Sequence, residues 1–586
     1  MGYGKWRFGF PLENNARFGG ISSSFCMNNS LKLRIENNLK KTLQEARDSG
    51  LLSWKTLPPV FISQPKREEW GDLSTNLPFL LSGRGDRSNA EIAEMLIASL
   101  QKEKFLSRVE FAPPGFINLS ISPSYLHQTV EKILTQKDEF TRFSSGEGRK
   151  VQVEFVSANP SGPLHVGHGR AAAVGDSLAN IVSKLGYQVQ KEYYINDVGG
   201  QIERLSRSVW ARLEELQGRK VSFPEDGYKG DYVIEIARQA KDELGDALPA
   251  PGKLSPKTMK LLADFAVGKI LDGIKEDLAC FGVKYDSWVT ESSFHKGNRV
   301  PEVISGLKGK GFVYEKEGAL WFRTSHFFEN EEDRVLRRKT GEYTYFASDI
   351  AYHQDKFQRG LDWVIDIWGA DHIGYVPRMK AAIRALGYPE DSLRVIIYQL
   401  VSLKRGQKRI SVSTRQGEFI PLSQVLEEVG RDAARFFFLT RTWDSHLDFD
   451  LDLAKKETPE NPVFYVQYAH ARISSILNKA RSRGIKIPSS SKGKLDPLVT
   501  PEERKLMREL CLLPDMIKEA GESLEPHRLT AWLQTVASTF HQFYTLHQVI
   551  GENEDLSLAR LLLVKAVQIA LRDVLNLLGI STPEKM

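Results

Sequence analysis

Cysteine is almost missing: three residues in 586, Cys26, Cys280 and Cys511, far apart and odd in number. That excludes a disulfide framework and a cysteine-rich zinc cluster, and it suits a reducing compartment. No apolar run reaches the length of a membrane span. Neither sign of charge dominates, since 80 basic residues face 74 acidic ones for a net +6. Such a balance permits a polyanionic partner without demanding one. The apolar core that marks a secretory signal is not expected in the first residues either. Met1 to Cys26 is rich in Gly, Phe, Arg and Ser, with one acidic residue, Glu13, and no apolar core. Residues 1–26 therefore read as a disordered extension ahead of a start at Met27. What is present is an ordinary globular composition, 41% hydrophobic and 26% charged, on a chain long enough for three or four domains.

The chain is organised around Val151 to Arg170. Val151 to Val156 is β-branched and aromatic, and reads as a short strand. Asn159-Pro160-Ser161-Gly162-Pro163 punctuates a turn. A helix follows from Gly169 to about Leu185, with Val174, Leu178, Ile181, Val182 and Leu185 on one face and Gly186 at its end. Tyr187 to Tyr194 completes a strand–helix–strand unit, whose turn lies at the carboxyl ends of parallel strands. Helix N-termini attract phosphates there. His165 and His168 flank Gly167 at that point, and two imidazoles can donate hydrogen bonds to charge building on a leaving pyrophosphate. A zinc pair or two packing histidines are the alternatives; zinc wants further Cys or His nearby.

Pro163-Leu164-His165-Val166-Gly167-His168 resembles the "HIGH" signature of class I aminoacyl-tRNA synthetases, and Val153 to Arg170 as a whole is similar to that of the arginyl-tRNA synthetases. The resemblance implies ATP contacts at Pro163 and Gly167 and catalytic roles for His165 and His168. An arginine substrate carries a planar, always-charged guanidinium, so its pocket needs carboxylates. Glu154 is a charge in an otherwise apolar strand, expensive unless paired, though an edge-exposed Glu would also account for it. The resemblance carries arginine binding onto Glu154 and Asn159.

Further along, Tyr345 and Asp349 stand four apart and share a face if that segment is helical. The resemblance places both beside the guanidinium, with His353 as a further lining residue; a helix-dipole Asp is the alternative. Trp363 to Trp368 reads as a buried strand, and Gly369-Ala370-Asp371-His372 resembles the family's "GADH" segment, which implies nucleotide or ribose contacts at Gly369, Asp371 and His372. The mobile "KMSKS" loop is degenerate: Ser411-Val412-Ser413-Thr414 stands in its place, with neither lysine. Ser413 is then an ATP contact, and phosphate charge must come from Lys408, Arg409 or Arg415, with Lys404 and Arg405 nearby.

The flanks fit the same family. Leu31 to about Leu52 patterns as an amphipathic helix with Leu33, Ile35, Leu39, Leu43 and Ala46 on one face, Val60 to Ile62 as a strand and Glu91 to Leu100 as a helix. Gly71-Asp72-Leu73-Ser74-Thr75-Asn76 resembles the "GDxxTN" segment of the family's amino-terminal domain, which implies contact with the tRNA D-loop through Phe116 and Asn118. A core Phe and a turn Asn would fit the residue types equally. Residues from about 199 to 294 read as a charged, helical insertion. Asp432-Ala433-Ala434-Arg435 resembles the "DALR" entry to an anticodon-binding helical domain, where Tyr468 and Arg472 match the segment lining the anticodon stem; an aromatic stripe is also what core packing gives.

The expected fold is thus a multidomain α/β protein: a small α+β N-terminal D-loop-binding domain over 27–135, a Rossmann-like parallel-sheet catalytic core over 148–455, and an all-α anticodon-binding domain over 456–586. The implied reaction joins L-arginine to tRNA(Arg) using ATP with Mg2+ as its counter-ion, through arginyl-adenylate, with no structural metal. A cytoplasmic monomer is expected. A cysteinyl or glutamyl enzyme is the near rival, against the cysteine count and the paired acids. A catalytically dead RNA-binding paralogue is the distant one, raised by the altered phosphate loop.

Overall fold

Short β-branched runs alternating with helical segments build a five-stranded sheet in which every neighbouring pair is parallel. The computed structural model describes residues 29–52, 58–82, 87–248, 254–406, 408–410 and 420–586. In chain order the strands are β1 (Lys150–Glu154), β2 (Gln188–Ile195), β3 (Ser287–Thr290), β4 (Trp363–Gly369) and β5 (Leu393–Tyr398), arranged β5-β4-β1-β2-β3. The chain order reverses between β1 and β4, and in an open α/β sheet the crevice outside the carboxyl ends at that reversal is where ligands bind. Val151, Val153, Val364 and Ile365 are buried in the two central strands. Burying each such side chain contributes about 1.5–3 kcal/mol.

Helix α1 (Val166–Lys184) connects β1 to β2 and is buried along most of its length. It starts three residues before the helix expected at Gly169, because His165 takes the N-cap position that Ser or Asp more often fills. Gly186, at φ +96°, ends it as expected. Helix α2 (Tyr345–Gln358) precedes β4 and packs on the sheet. Residues 287–290, read as helical, are instead β3: Trp-Val-Thr is a β-favouring triplet that pairs with Tyr193 to Ile195. The helices expected before it are present as Gly200–Leu216, Asp231–Leu244 and Pro256–Cys280. A small sheet follows β5, built from β6 (Val401–Arg405), β7 (Lys408–Arg409) and β8 (Leu447–Asp450).

Among the described residues, these elements belong to one compact unit, within 145–463 and 578–580, and those before 145, with 464–577 and 581–586, form a second. In the second unit, helix Leu31–Asp48 buries Leu31, Ile35, Leu39, Leu43 and Ala46, so Leu31 rather than Leu33 faces the core. Val60 to Ile62 is not a strand. Pairing there is limited to one bridge, Ser63 with Ser74, beside a three-stranded antiparallel sheet of Leu73–Thr75, Leu106–Ala112 and Phe116–Ile121. The carboxy-terminal segment is helical as read, with Pro462–Ser482, Pro501–Glu522, His527–Leu546 and Glu554–Leu577. Among the described residues no helix is long and apolar enough to cross a membrane.

Candidate active site

The turn after β1 is tightly wound. Val156 and Ser157 both adopt positive φ, 68° and 39°, a conformation that costs a β-branched residue most. The Ser157 hydroxyl donates to Glu154 Oε1 at 2.9 Å and accepts from the Tyr194 amide at 3.1 Å, which holds the turn against β2. Asn159 is half-buried on the same turn. The chain then reaches His165, whose Nδ1 accepts from the Gly167 amide at 3.1 Å, while His168 Nδ1 accepts from the His165 amide at 3.3 Å. With both Nδ1 atoms accepting, each neutral ring carries its proton on Nε2. The rings stack at 3.7 Å between centroids, 17° apart. A β-carbon on residue 167 would stand 3.0 Å from His165 Cε1, so glycine lets that ring fold back over the helix start.

Burial lowers the His165 pKa, and burial together with the neighbouring His165 charge lowers that of His168 well below the ordinary value. The positive end of the helix dipole works in the same direction. The signature therefore presents two uncharged N–H donors rather than two cations.

At the end of β4, Gly369 leads into a short turn carrying Asp371 and His372, both exposed and 3.5 Å from each other. Gly369 and Glu154 thus mark the carboxyl ends of the two strands that flank the reversal.

The acidic pocket lies on α2 and its neighbours. Tyr345 and Asp349 are one helical turn apart, as the spacing predicts. Tyr375 donates its hydroxyl to Asp349 Oδ2 at 2.5 Å. Glu291 is buried; the Asn196 amide, oriented to donate, reaches its Oε2 at 3.0 Å, and His295 Nε2 lies 3.6 Å from Oε1. Burial raises the Glu291 pKa to about 7, with the charge on Asp349 adding to it, and burial raises Asp349 too. Among the described residues neither carboxylate makes an ion pair with a lysine or arginine. A buried and a half-buried acid, neither paired to a lysine or arginine among the described residues, make a site for a guanidinium.

Glu154 is differently placed. Its Oε2 accepts from Tyr352 at 2.8 Å and from Lys356 at 2.6 Å, so the charge in the apolar strand is paired within the protein. His353, expected to line the pocket, is instead held beneath it: Nε2 meets Asp366 Oδ2 at 2.9 Å and Nδ1 meets the Asp349 carbonyl at 2.8 Å.

The basic residues after β5 have partners of their own. Lys404 lies 2.5 Å and Arg409 3.5 Å from Asp448, and Arg405 pairs with Glu428. Lys408 is exposed on β7. Ser413 and Arg415 lie outside the described residues. Where the described chain resumes, Pro421 bridges to His165 and the Leu422 amide donates to the Leu164 carbonyl at 2.8 Å. The buried Arg170 of α1 donates to the Gln399 carbonyl before that stretch and to the Thr442 and Ser445 carbonyls well beyond it, each at 2.8 Å. Described residues 399 and 421–422 are thus held at α1 and at the two residues that lead into it.

In the second unit Phe116 is 41% exposed, and Asn118 lines a small polar groove with Glu69, Trp70, Arg108, Glu110 and Ser120. Tyr468 and Arg472 share a face of helix Pro462–Ser482 and are half-buried, the guanidinium 5.1 Å over the Tyr468 ring.

A parallel sheet reversing between β1 and β4, with an HxGH helix start at the reversal and a basic hairpin tied back to it, defines a class I aminoacyl-tRNA synthetase. Residues 129–439 match the family profile "tRNA synthetases class I (R), catalytic domain", 30–121 match "Arginyl tRNA synthetase N terminal domain", and 466–586 match "DALR anticodon binding domain". The chain belongs to the arginyl-tRNA synthetase family. It is 45% identical over 558 residues to an arginine–tRNA ligase of Syntrophotalea carbinolica, covering 95% of this chain and 100% of that one. It is 47% identical over 555 residues to that of Carboxydothermus hydrogenoformans, at 94% and 99% coverage. The Thermus thermophilus arginyl-tRNA synthetase shares the fold, with TM-score 0.74 at 23% identity over 95% of this chain and 100% of that one. The protein charges tRNA(Arg) with arginine at the expense of ATP.

Proposed function

We propose that the guanidinium of arginine is gripped by Asp349 and Glu291, with Tyr345 covering it and Tyr375 orienting Asp349. The observation that carries this is the pair of carboxylates, Glu291 buried and Asp349 half-buried, with no lysine or arginine ion pair among the described residues. Glu154 and Asn159, on the turn after β1, take the α-amino and carboxylate end. That arrangement points the carboxylate of arginine toward the α-phosphate of an ATP lying over His165 and His168, with Gly167, Pro163, Gly369, Asp371 and His372 around its adenosine.

In-line attack on the α-phosphate then gives arginyl-adenylate and pyrophosphate, and the terminal ribose hydroxyl of the tRNA takes the arginyl group. The two Nε2–H groups stabilise the charge that grows on the phosphates, and Lys408, Arg409 and Arg415 supply the cationic share. Catalysis is positional and electrostatic, without a covalent enzyme intermediate. The donors here are N–H groups and cations, suited to phosphate oxygens, so Mg2+ enters as the nucleotide's counter-ion.

Residues 27–135, with Phe116 and Asn118, would meet the tRNA D-loop, and residues 456–586, with Tyr468 and Arg472, the anticodon stem. The protein acts as a cytoplasmic monomer. The test is pyrophosphate exchange with ATP and tRNA(Arg): Asp349→Asn and Glu291→Gln should each raise the KM for arginine while leaving the KM for ATP in place. Unchanged arginine KM in both variants overturns the pocket.

A further inference from the structure

Parallel register places three carboxylates side by side across the sheet. Glu192 of β2 and Asp366 of β4 are the direct partners of Glu154 on β1, so all three project from the same face. All three are buried. Like charges in such adjacent positions repel, and burial removes the water that would screen them.

The side chains that answer them come from α2, where Tyr352, His353 and Lys356 share the inward face. Lys356, with no solvent exposure, sits between Glu154 Oε2 at 2.6 Å and Asp366 Oδ1 at 2.9 Å. Arg359, at the end of α2, clasps Glu192 at 2.7 and 3.0 Å. The Tyr352 hydroxyl spans Glu154 and Glu192 at 2.8 and 2.7 Å. Burial alone would lower the Lys356 pKa, but Asp366 and Glu154 raise it, so the ammonium stays charged.

A buried cation shared by two strands could serve charge balance alone. Glu154, however, has its other oxygen on Ser157, the second of two consecutive residues with positive φ. A chain of contacts thus runs from Lys356 to the turn that bears Asn159. We propose that Lys356 is a positioning residue for arginine activation: it fixes the Glu154 carboxylate, through it the Val156–Ser157 turn, and through the turn the Asn159 amide. The proposal rests on reading Glu154 and Asn159 as ligands of arginine's amino and carboxylate end.

The test compares Lys356→Met, Lys356→Met with Asp366→Asn, and Glu154→Gln, by thermal unfolding and by pyrophosphate exchange with ATP and tRNA(Arg) present. The double variant removes one charge of each sign and carries the test if the single one does not fold. The expected result is a recovered unfolding temperature in the double variant with an arginine KM still raised about tenfold or more and an ATP KM within about twofold of the parent. A mere charge-balance role predicts that arginine KM returns along with stability, and that outcome overturns the proposal. An unchanged arginine KM in Glu154→Gln would instead remove the reading beneath it. A raised KM in Glu154→Gln beside a normal one in the double variant sinks only the role of Lys356.

Discussion

The Tyr345 hydroxyl lies against the bare α-carbon of Gly199, in the space that a β-carbon would fill. Gly199 also holds φ +91° at the start of helix Gly200–Leu216, where an L side chain is strained. A Gly199→Ala change must therefore push Tyr345 aside as well as strain its own backbone. Tyr345 is 53% exposed and free to swing, so the protein should fold with a small loss of stability, about 1 kcal/mol. The arginine KM should rise about three- to tenfold, and the ATP KM should stay put. Exchange kinetics at varied arginine check this.

Asp349 and Tyr375 allow a graded comparison. Removing the charge in Asp349→Asn deletes half of the acidic grip and should raise the arginine KM about a hundredfold, near 2.7 kcal/mol. Tyr375→Phe removes only the 2.5 Å hydrogen bond that aims the carboxylate, and about three- to tenfold is expected. An equal effect of the two changes would mean that Asp349 acts through Tyr375 rather than on the substrate.

Much of this site was legible in the residues, because local patterns announce local structure. His165-Val166-Gly167-His168 sat at a strand-to-helix junction, Tyr345 and Asp349 were correctly one turn apart, and Glu154 stood out as a charge in an apolar strand. The same signal was present at Asp366, within Val364-Ile365-Asp366-Ile367-Trp368, and would have found the buried network. Its partner Lys356 could not be found that way. A lysine on a helix reads as a solvated face, and only the packing of α2 on the sheet turns it inward. Glu291 and Tyr375 come from segments distant in sequence, joined by the sheet order, and no local period marks them. The strand β3 was missed because four residues are too few to outweigh a long helical neighbourhood.

Glu291 gives arginine binding a pH dependence. Its pKa of about 7 is raised above the ordinary carboxylate value, so the empty pocket holds a proton on part of the molecules at neutral pH. A guanidinium favours the ionised form and expels that proton. Calorimetry at pH 7 in buffers of different ionisation enthalpy should show proton release on arginine binding, and Glu291→Gln should abolish it. Folding stability from this group runs the other way: a raised carboxylate stabilises fully below its unfolded value and loses that contribution as pH rises through 7. Arginine should restore it.

Asp515 tests the second unit alone. From helix Pro501–Glu522 it accepts from the Ser30 hydroxyl at 2.5 Å and from the amides of Leu31 and Lys32 at 3.2 and 3.1 Å, the start of helix Leu31–Asp48. Truncation leaves three donors at a buried helix end without their acceptor. Asp515→Ala should cost about 2–4 kcal/mol and lower the unfolding temperature. Exchange in the folded fraction should keep the parent arginine KM.

The stacked histidines set the last expectation, since their hydrogen bonds decide what an acid pH does. Each Nδ1 accepts a backbone N–H at the start of α1, from Gly167 and from His165. Protonating either ring places an N–H where an N–H already points, so the cap must open before the ring can charge. Both pKa values are lowered, and the unfolded chain takes up protons near the ordinary value of about 6.5. The stability these rings contribute is therefore present above that pH and lost as the pH falls below it, a sign opposite to that of Glu291. Nitrogen-15 spectra should show both rings as neutral Nε2–H tautomers at pH 7. His165→Ala and His168→Ala should each lower kcat for exchange about 10²- to 10³-fold with little change in either KM, as removal of a donor to transition-state charge requires. A cationic ring in those spectra would make the pair a charge clamp, and the acid loss of stability should then vanish with it.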